Sequence, residues 1–454
     1  MLRSERRPSR SLLAKILIST CLIVAAGVTP AFAEAFFLPT GDEVHNTGDP
    51  RLVVDVRGGM HLTYPLVAAQ GVVYAYCAAD CTSEERFETV TFYTDEFGGV
   101  DTALVAVDPA GRPHLLFSSH NAVMYATCED PCGTTGQWES RVVFEHDGDW
   151  ELTGDAFALD PQGRPRFLMH AYQAYLGIGQ PEEGTMYFQC DQACADARNW
   201  TASVISEQSW LESTLRFDAQ GTAHVATVIP VDDVELVAYL TCSSDCGNEE
   251  VDNWPGLGLT MAYSDPYVAE IAPAVSLAVG TDGGVRLAFL GADGEESFLG
   301  FYECLADCTE PDGSTWDGLI LLHSSDGSDL GDGLALVLDQ QDRPRLAYTS
   351  SSSILVAYCD GDCVGRNGPD DWALAEGELA SDIPADDIFL YYNCNVGFWF
   401  LRQPALALRP DGLPVVAYRA EDKSGGWTSP DPTKPSCPAG VDMTMTRLSV
   451  LDSY

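Results

Sequence analysis

Basic residues are scarce in this 454-residue chain: 24 Lys and Arg stand against 68 Asp and Glu, for a formal net charge of −44. Nucleic acid and anionic membrane are bound through basic patches, so neither is an expected partner. Long apolar runs are also missing. The longest, residues 16–28, falls short of the roughly 20 residues that a membrane-spanning helix needs, and no transmembrane anchor is expected. No stretch has the spacing of an EF-hand loop, and the cysteines never gather four to a point as structural zinc requires. Disorder is excluded from the other side, because 46% of residues are hydrophobic and 10% aromatic.

What is present begins with a targeting segment. Arg3, Arg6, Arg7 and Arg10 form a positive n-region, the apolar run follows, and Ala31-Phe32-Ala33 closes with small-x-small cleavage chemistry. Residues 1–33 therefore read as a signal peptide, and the protein as secreted or periplasmic. The Ile18-Ser19-Thr20-Cys21 stretch is a poor lipobox, since the apolar run continues past the cysteine. Cleavage removes five basic residues and one acidic, leaving 19 against 67 and a net charge of −48. Cations, cationic proteins or neutral glycans suit such a surface, although solubility alone explains much of it.

Fourteen of the 15 cysteines survive cleavage, and twelve of them form six C-x-x-x-C pairs. These are Cys77/Cys81, Cys128/Cys132, Cys190/Cys194, Cys242/Cys246, Cys304/Cys308 and Cys359/Cys363, with starts 51 to 62 residues apart. An even number in an oxidising compartment favours disulfides, and Cys394 is expected to pair with Cys437. A bridge holds its Cα atoms within about 7 Å, whereas four extended residues span about 13 Å. Each pair must therefore sit in a tight reversal.

A second signature precedes each pair. Two short apolar runs flank an Asp-Pro-x-Gly-like turn in seven copies: 52–64, 104–117, 157–169, 215–227, 276–290, 336–348 and 406–418. Asp caps its own backbone, Pro presets φ and Gly accepts a positive φ. A third strand ends at the first cysteine, and a fourth begins at a tryptophan in several repeats, as at Trp138, Trp200 and Trp372. Four antiparallel strands repeated seven times at this period predict an all-β, seven-bladed β-propeller over 34–454, with residues 35–39 adding the strand that closes the ring.

The D-x-x-G-x-P-H/R turn followed by an aromatic-ending strand resembles secreted bacterial sialidase-like propellers of the BNR type. That resemblance covers nearly all of the mature chain and implies architecture only. The family's Asp-box reads S-x-D-x-G-x-T-W; here 309–316 is the nearest match, with Asp312 one place too near Trp316. No counterpart of the family's arginine triad or tyrosine nucleophile is seen.

Strand order places the Asp-Gly turns and the cystines on one face. There Arg112, Arg164 and Arg343, with His61, His114 and His224, read as turn and strand-end chemistry. The opposite face carries the longer loops, where propeller sites are expected. Asp49, Asp101, Asp155, Glu212 and Asp332 precede or open inner strands and are expected to ring the channel mouth. Converging carboxylates would call for a hard cation, with Asp101, Asp155 and Asp332 as Ca²⁺ ligands; a solvated acidic rim is the plainer reading. His120, His146, His170 and His323 belong to the same face, as do Trp150, Tyr172, Tyr175, Trp210, Tyr267, Trp399 and Trp427. These aromatics either stack on sugar or pack between blades. The expectation is a monomeric propeller binding a glycan or extracellular protein. The alternative is a sialidase-like glycoside hydrolase or polysaccharide lyase, and a purely structural role is a third reading.

Overall fold

The computed structural model describes residues 33–40, 46–67, 69–94, 97–129, 132–146, 150–171, 184–231, 234–248, 253–263, 274–293, 296–310, 313–324, 330–350, 352–365, 368–383, 399–423 and 442–454. The expected signal segment, apart from Ala33, and Cys394/Cys437 lie outside them. Seven four-stranded antiparallel blades form, each counted from the channel outward. Blade 1 comprises Arg51–Val54, Met60–Leu66, Gly71–Cys77 and Glu88–Tyr93. Blade 2 comprises Val100–Val107, Pro113–Ser119, Ala122–Cys128 and Trp138–Glu145. In blade 3 the inner strand is split into Trp150–Glu151 and Phe157–Leu159, followed by Pro165–Ala171, Thr185–Cys190 and Trp200–Ser206. Blade 4 begins at Ser213–Phe217, blade 5 at Ala274–Val279, blade 6 at Leu334–Leu338 and blade 7 at Trp399–Leu408.

Closure follows the expectation from sequence. Ala33–Phe37 pairs antiparallel with Asp442–Leu451 as the outermost strand of blade 7. The first and last described strands thus share one sheet and close the ring. Arg447 locks the seam: its buried guanidinium pairs with Glu378 at 2.7 and 2.8 Å, donates to the Ala35 carbonyl at 3.1 Å and lies 4.6 Å from the Phe37 ring.

Five of the seven inner hairpins are built the same way, while Gly280 in blade 5 and Arg409 in blade 7 stand where the others have aspartate. At Asp108 the carboxylate accepts from the backbone N–H of Ala110 and Arg112, both at 2.9 Å, and Gly111 takes φ +87°. Asp55, Asp160, Asp218 and Asp339 repeat the arrangement. Blade 6 substitutes Asp342 at the left-handed position, φ +60°.

All six expected disulfides form: Cys77–Cys81, Cys128–Cys132, Cys190–Cys194, Cys242–Cys246, Cys304–Cys308 and Cys359–Cys363, with Cα atoms 5.7 to 5.8 Å apart. In blades 2 to 6 the second cysteine's carbonyl then receives an indole N–H: Trp138 to Cys132 at 3.1 Å, Trp200 to Cys194 at 2.8 Å, Trp254 to Cys246 at 3.1 Å, Trp316 to Cys308 at 2.9 Å and Trp372 to Cys363 at 3.0 Å. Each ring packs edge-on against an aromatic of the preceding blade, at Tyr74, Tyr125, Tyr187, Tyr239 and Phe301, with centroids 4.9 to 5.4 Å apart. Cystine, indole and tyrosine therefore form one inter-blade joint, and the apolar clusters between blades make up the core.

Blade 1 departs from this pattern at Cys81, because no tryptophan stands between that cysteine and the fourth strand. Phe87 takes the place of the indole, with its ring 6.0 Å from Phe36 of the closing strand. A phenyl ring has no N–H to give the Cys81 carbonyl, so this joint rests on apolar packing alone. Cys81 itself is 4% exposed and shares one buried cluster with Cys77 and Phe87. Its role is structural, and it belongs to the core rather than to a binding surface.

Candidate functional site

The turn and cystine end is occupied by structural contacts. Arg112, Arg164 and Arg343 each return a guanidinium Nε to the turn aspartate, at 2.6, 2.6 and 2.7 Å. His61, His114 and His224 use Nδ1 against Tyr74, Tyr125 and Tyr239, at 2.7, 2.5 and 2.7 Å. Burial drives the imidazole pKa values down, to about 4 for His114, with the turn aspartates opposing the shift. Arg166 and Arg345 replace histidine in blades 3 and 6 and bond the turn aspartate at 3.0 and 2.7 Å and the carbonyl of Cys190 or Cys359. Asn199 of the 199–201 sequon donates its amide to the Ala193 carbonyl at 3.0 Å, as Asn253 does to Asp245 at 3.2 Å, so its visible role is to brace the cystine loop.

At the other end the seven inner strands surround a cavity of about 490 Å³. Its mouth is polar, with Arg51, Asp155, Glu212, Thr214, Arg216 and Gln403. The wall below is aliphatic, with Val54, Val107, Leu159, Leu338 and Leu408. Within each sheet the inner strand pairs on one side; part of its other edge is bonded by the next blade, as where Asp155 meets Ser213 and Leu215, and the rest faces the channel.

The expected carboxylate ring takes a different form. Asp49, Asp155 and Asp332 do lie at this end, but each is engaged by a guanidinium: Arg419 meets Asp49 at 2.7 Å, Arg216 pairs with Asp155 and Arg402 with Asp332. These guanidiniums offset carboxylate charge at the mouth. Among the described residues no three His, Cys, Asp or Glu side chains converge as metal ligands.

Glu212, Glu151 and Asp101 behave differently. Glu212 is half-buried and lines the cavity. Desolvation pushes its carboxyl up to about 7; Asp49 and Glu151 add to the shift and Arg51 opposes it. Glu151 is likewise pushed up to about 7, by desolvation and then by Asp101. Desolvation also raises Asp101, against His120.

Arg51 crosses the mouth. It donates to the Pro50 carbonyl at 3.0 Å and to the Gly154 carbonyl of blade 3 at 2.9 Å, and its Nε is buried without a partner. Among the described residues it bonds no carboxylate. Gly154, at φ +66°, has no room for a side chain: an added Cβ would lie 2.8 Å from a Glu212 oxygen and 2.4 Å from the Ser213 carbonyl. Gly154 thus stands between Arg51, which bonds its carbonyl, and Glu212, which takes the space beside its Cα.

The other expected residues divide between packing and surface. Trp210 is 2% exposed, edge-on to Trp254 in the core, and Trp399 is buried, so neither offers a stacking face. Trp150 is half-buried against the core between blades 2 and 3. His170 is 1% exposed and burial depresses its pKa to about 3, so it is a buried neutral imidazole. His146 stacks on Phe144. His120 is exposed, and His323 meets Glu296 at 3.3 Å on the surface. Tyr172, Tyr175, Tyr267 and Trp427 lie outside the described residues. Sequence reasoning missed Arg51, Glu151, Arg216, Arg402 and Arg419. An arginine inside an otherwise apolar inner strand, as in 399–408, was the available signal.

No helix among the described residues is long and apolar enough to cross a membrane. No protein-family model and no curated protein matches the chain. Solved structures with a similar chain trace include the polysaccharide lyase Uly1, at 11% identity over 92% of both chains with a TM-score of 0.48. A PL25 ulvan lyase matches at 12% identity over 73% of this chain and 78% of its own, TM-score 0.41. The Hadza microbial sialidase Hz136 matches at 15% identity over 68% and 64%, TM-score 0.43. At these values the likeness is one of architecture.

Proposed function

We propose that the protein is an exported recognition propeller that binds an acidic glycan at the channel mouth, with Arg51 as the anchoring cation. The observation that carries this reading is the guanidinium of Arg51, which lines the cavity, is held in place by two backbone carbonyls and is bound to no carboxylate among the described residues. Arginine's fixed fork of donors suits the carboxylate or sulfate of a sugar. Gln403 and the open parts of the inner strand edges supply donors and acceptors for hydroxyls. Six cystines suit the oxidising compartment that an exported protein meets. A glycan array run with wild type and R51A tests the reading. Binding of acidic glycans that disappears in R51A supports it; equal binding by both variants, or none by the wild type, overturns it.

One observation favours a second reading, a glycoside hydrolase or polysaccharide lyase. A carboxyl pushed up to about 7, as in Glu212, is suited to proton transfer near neutral pH. Turnover in a panel of hydrolase and lyase substrates, lost in E212Q, would replace the binding-only reading.

A further inference from the structure

We propose that Glu212 is the charge selector of the channel mouth: its ionised carboxylate competes with the ligand's anionic group for Arg51, so the site opens to anions only when Glu212 carries a proton. This rests on the reading of Arg51 as the anchor. Both side chains line the same cavity and flank Gly154: Arg51 donates to its carbonyl, and a Glu212 oxygen lies 2.8 Å from where its Cβ would stand. Gly154 sets their spacing, since no larger residue fits beside Glu212 and the Ser213 backbone.

The surrounding charges favour the neutral form. Blade 1 contributes Asp49, itself held by Arg419, and Arg51. The split inner strand of blade 3 contributes Glu151 and, through the Arg216 pair, Asp155. Behind Glu151 stands Asp101, facing His120. Of these, Arg51 alone is a cation not bound to a carboxylate. Desolvation is the largest influence and raises the Glu212 carboxyl to about 7, so its charge changes within the physiological range. Below that value Arg51 keeps its charge for a ligand. Above it Glu212⁻ neutralises Arg51 and repels an incoming carboxylate or sulfate. In the limit where only the protonated site binds, affinity falls about tenfold for each pH unit above the carboxyl's midpoint.

The test has two arms. In the first, sodium glucuronate is titrated calorimetrically into wild type and E212Q from pH 5.5 to 8.5, with glucose as the uncharged control. A wild-type affinity that drops at least tenfold between pH 6.5 and 8.5, against a flat profile for E212Q, supports the proposal; parallel slopes overturn it. The second arm needs no ligand: ¹³C-carboxyl NMR follows Glu212 in wild type and R51Q. A midpoint near 7 that rises in R51Q supports the competition, and an ordinary carboxylate midpoint unmoved by R51Q overturns it. A shifted midpoint without glucuronate binding in either variant would sink the anchor reading while leaving the Arg51–Glu212 coupling standing. Thermal unfolding of each variant identifies any loss caused by misfolding.

Discussion

Each inter-blade joint of blades 2 to 6 turns on a single indole. Trp316 is 8% exposed, donates to the Cys308 carbonyl and rests edge-on against Tyr239 of the preceding blade. Trp316→Ala should cost about 3–5 kcal/mol, the usual loss for truncating a buried aromatic. Trp316→Phe keeps most of the ring and forfeits mainly the hydrogen bond, about 1 kcal/mol. Urea unfolding of the two variants measures both, and equal losses would show that the N–H rather than the ring holds the joint. These contacts were half legible. The tryptophans stood at a recurrent place after the cysteines, but a ring touching the preceding repeat is invisible in a linear spacing.

At the scale of the strand and its turn, the cystine staples act locally. A closed loop this short is worth about 2 kcal/mol by restricting the unfolded chain. Replacing Cys242 and Cys246 together by alanine should lower stability by about that amount. It should also loosen the reversal that seats Trp254 on Tyr187. Hydrogen exchange should then rise at the outer strands of blade 4 and its junction with blade 3, leaving blades 1 and 6 unchanged. A uniform rise across all blades would contradict the modular picture. The sequence was most readable here, because an aspartate capping its own turn and two cysteines four residues apart are decided within one hairpin.

For the whole molecule, closure and pH are the deciding terms. Arg447→Met takes away the guanidinium that pairs with the buried Glu378 beside the closing strand, and breaking such a pair costs about 3–5 kcal/mol. The double variant with Glu378→Leu removes the buried charge as well and should recover much of the loss in thermal melts. A double variant no more stable than the single one would refute that account.

Titration sets limits on both sides. His61, His114, His170 and His224 have folded values depressed by burial, to about 4 for His114 and about 3 for His170. Their contribution is full above the unfolded value near 6.5 and is lost as pH falls toward the folded values, each at up to about 1.4 kcal/mol per pH unit. Glu151 and Glu212, raised to about 7, act in the opposite sense: their contribution is full below about 4.5 and fades as pH rises through 7. Denaturant midpoints should therefore decline steeply below pH 6.5, and in His170→Asn less steeply. A wild-type midpoint flat from pH 4 to 6.5 would show that the buried histidines carry no such linkage.

By itself the sequence determined the repeat, the number of blades, the staples and the closing strand. Each of these is written in contacts within one hairpin or in a motif copied along the chain. Only the tertiary structure decided what the channel mouth is, because the ring brings together residues that no local pattern relates. Arg419 near one end of the chain neutralises Asp49 near the other, and Arg51 reaches the carbonyl of Gly154 two blades away. A row of carboxylates read along the chain becomes, once the strands are bent into a circle, a set of ion pairs beside Arg51, which bonds no carboxylate among the described residues, and the raised carboxyls of Glu151 and Glu212. Burial and Coulomb interactions depend on distance through space, and that distance exists only after the ring has closed.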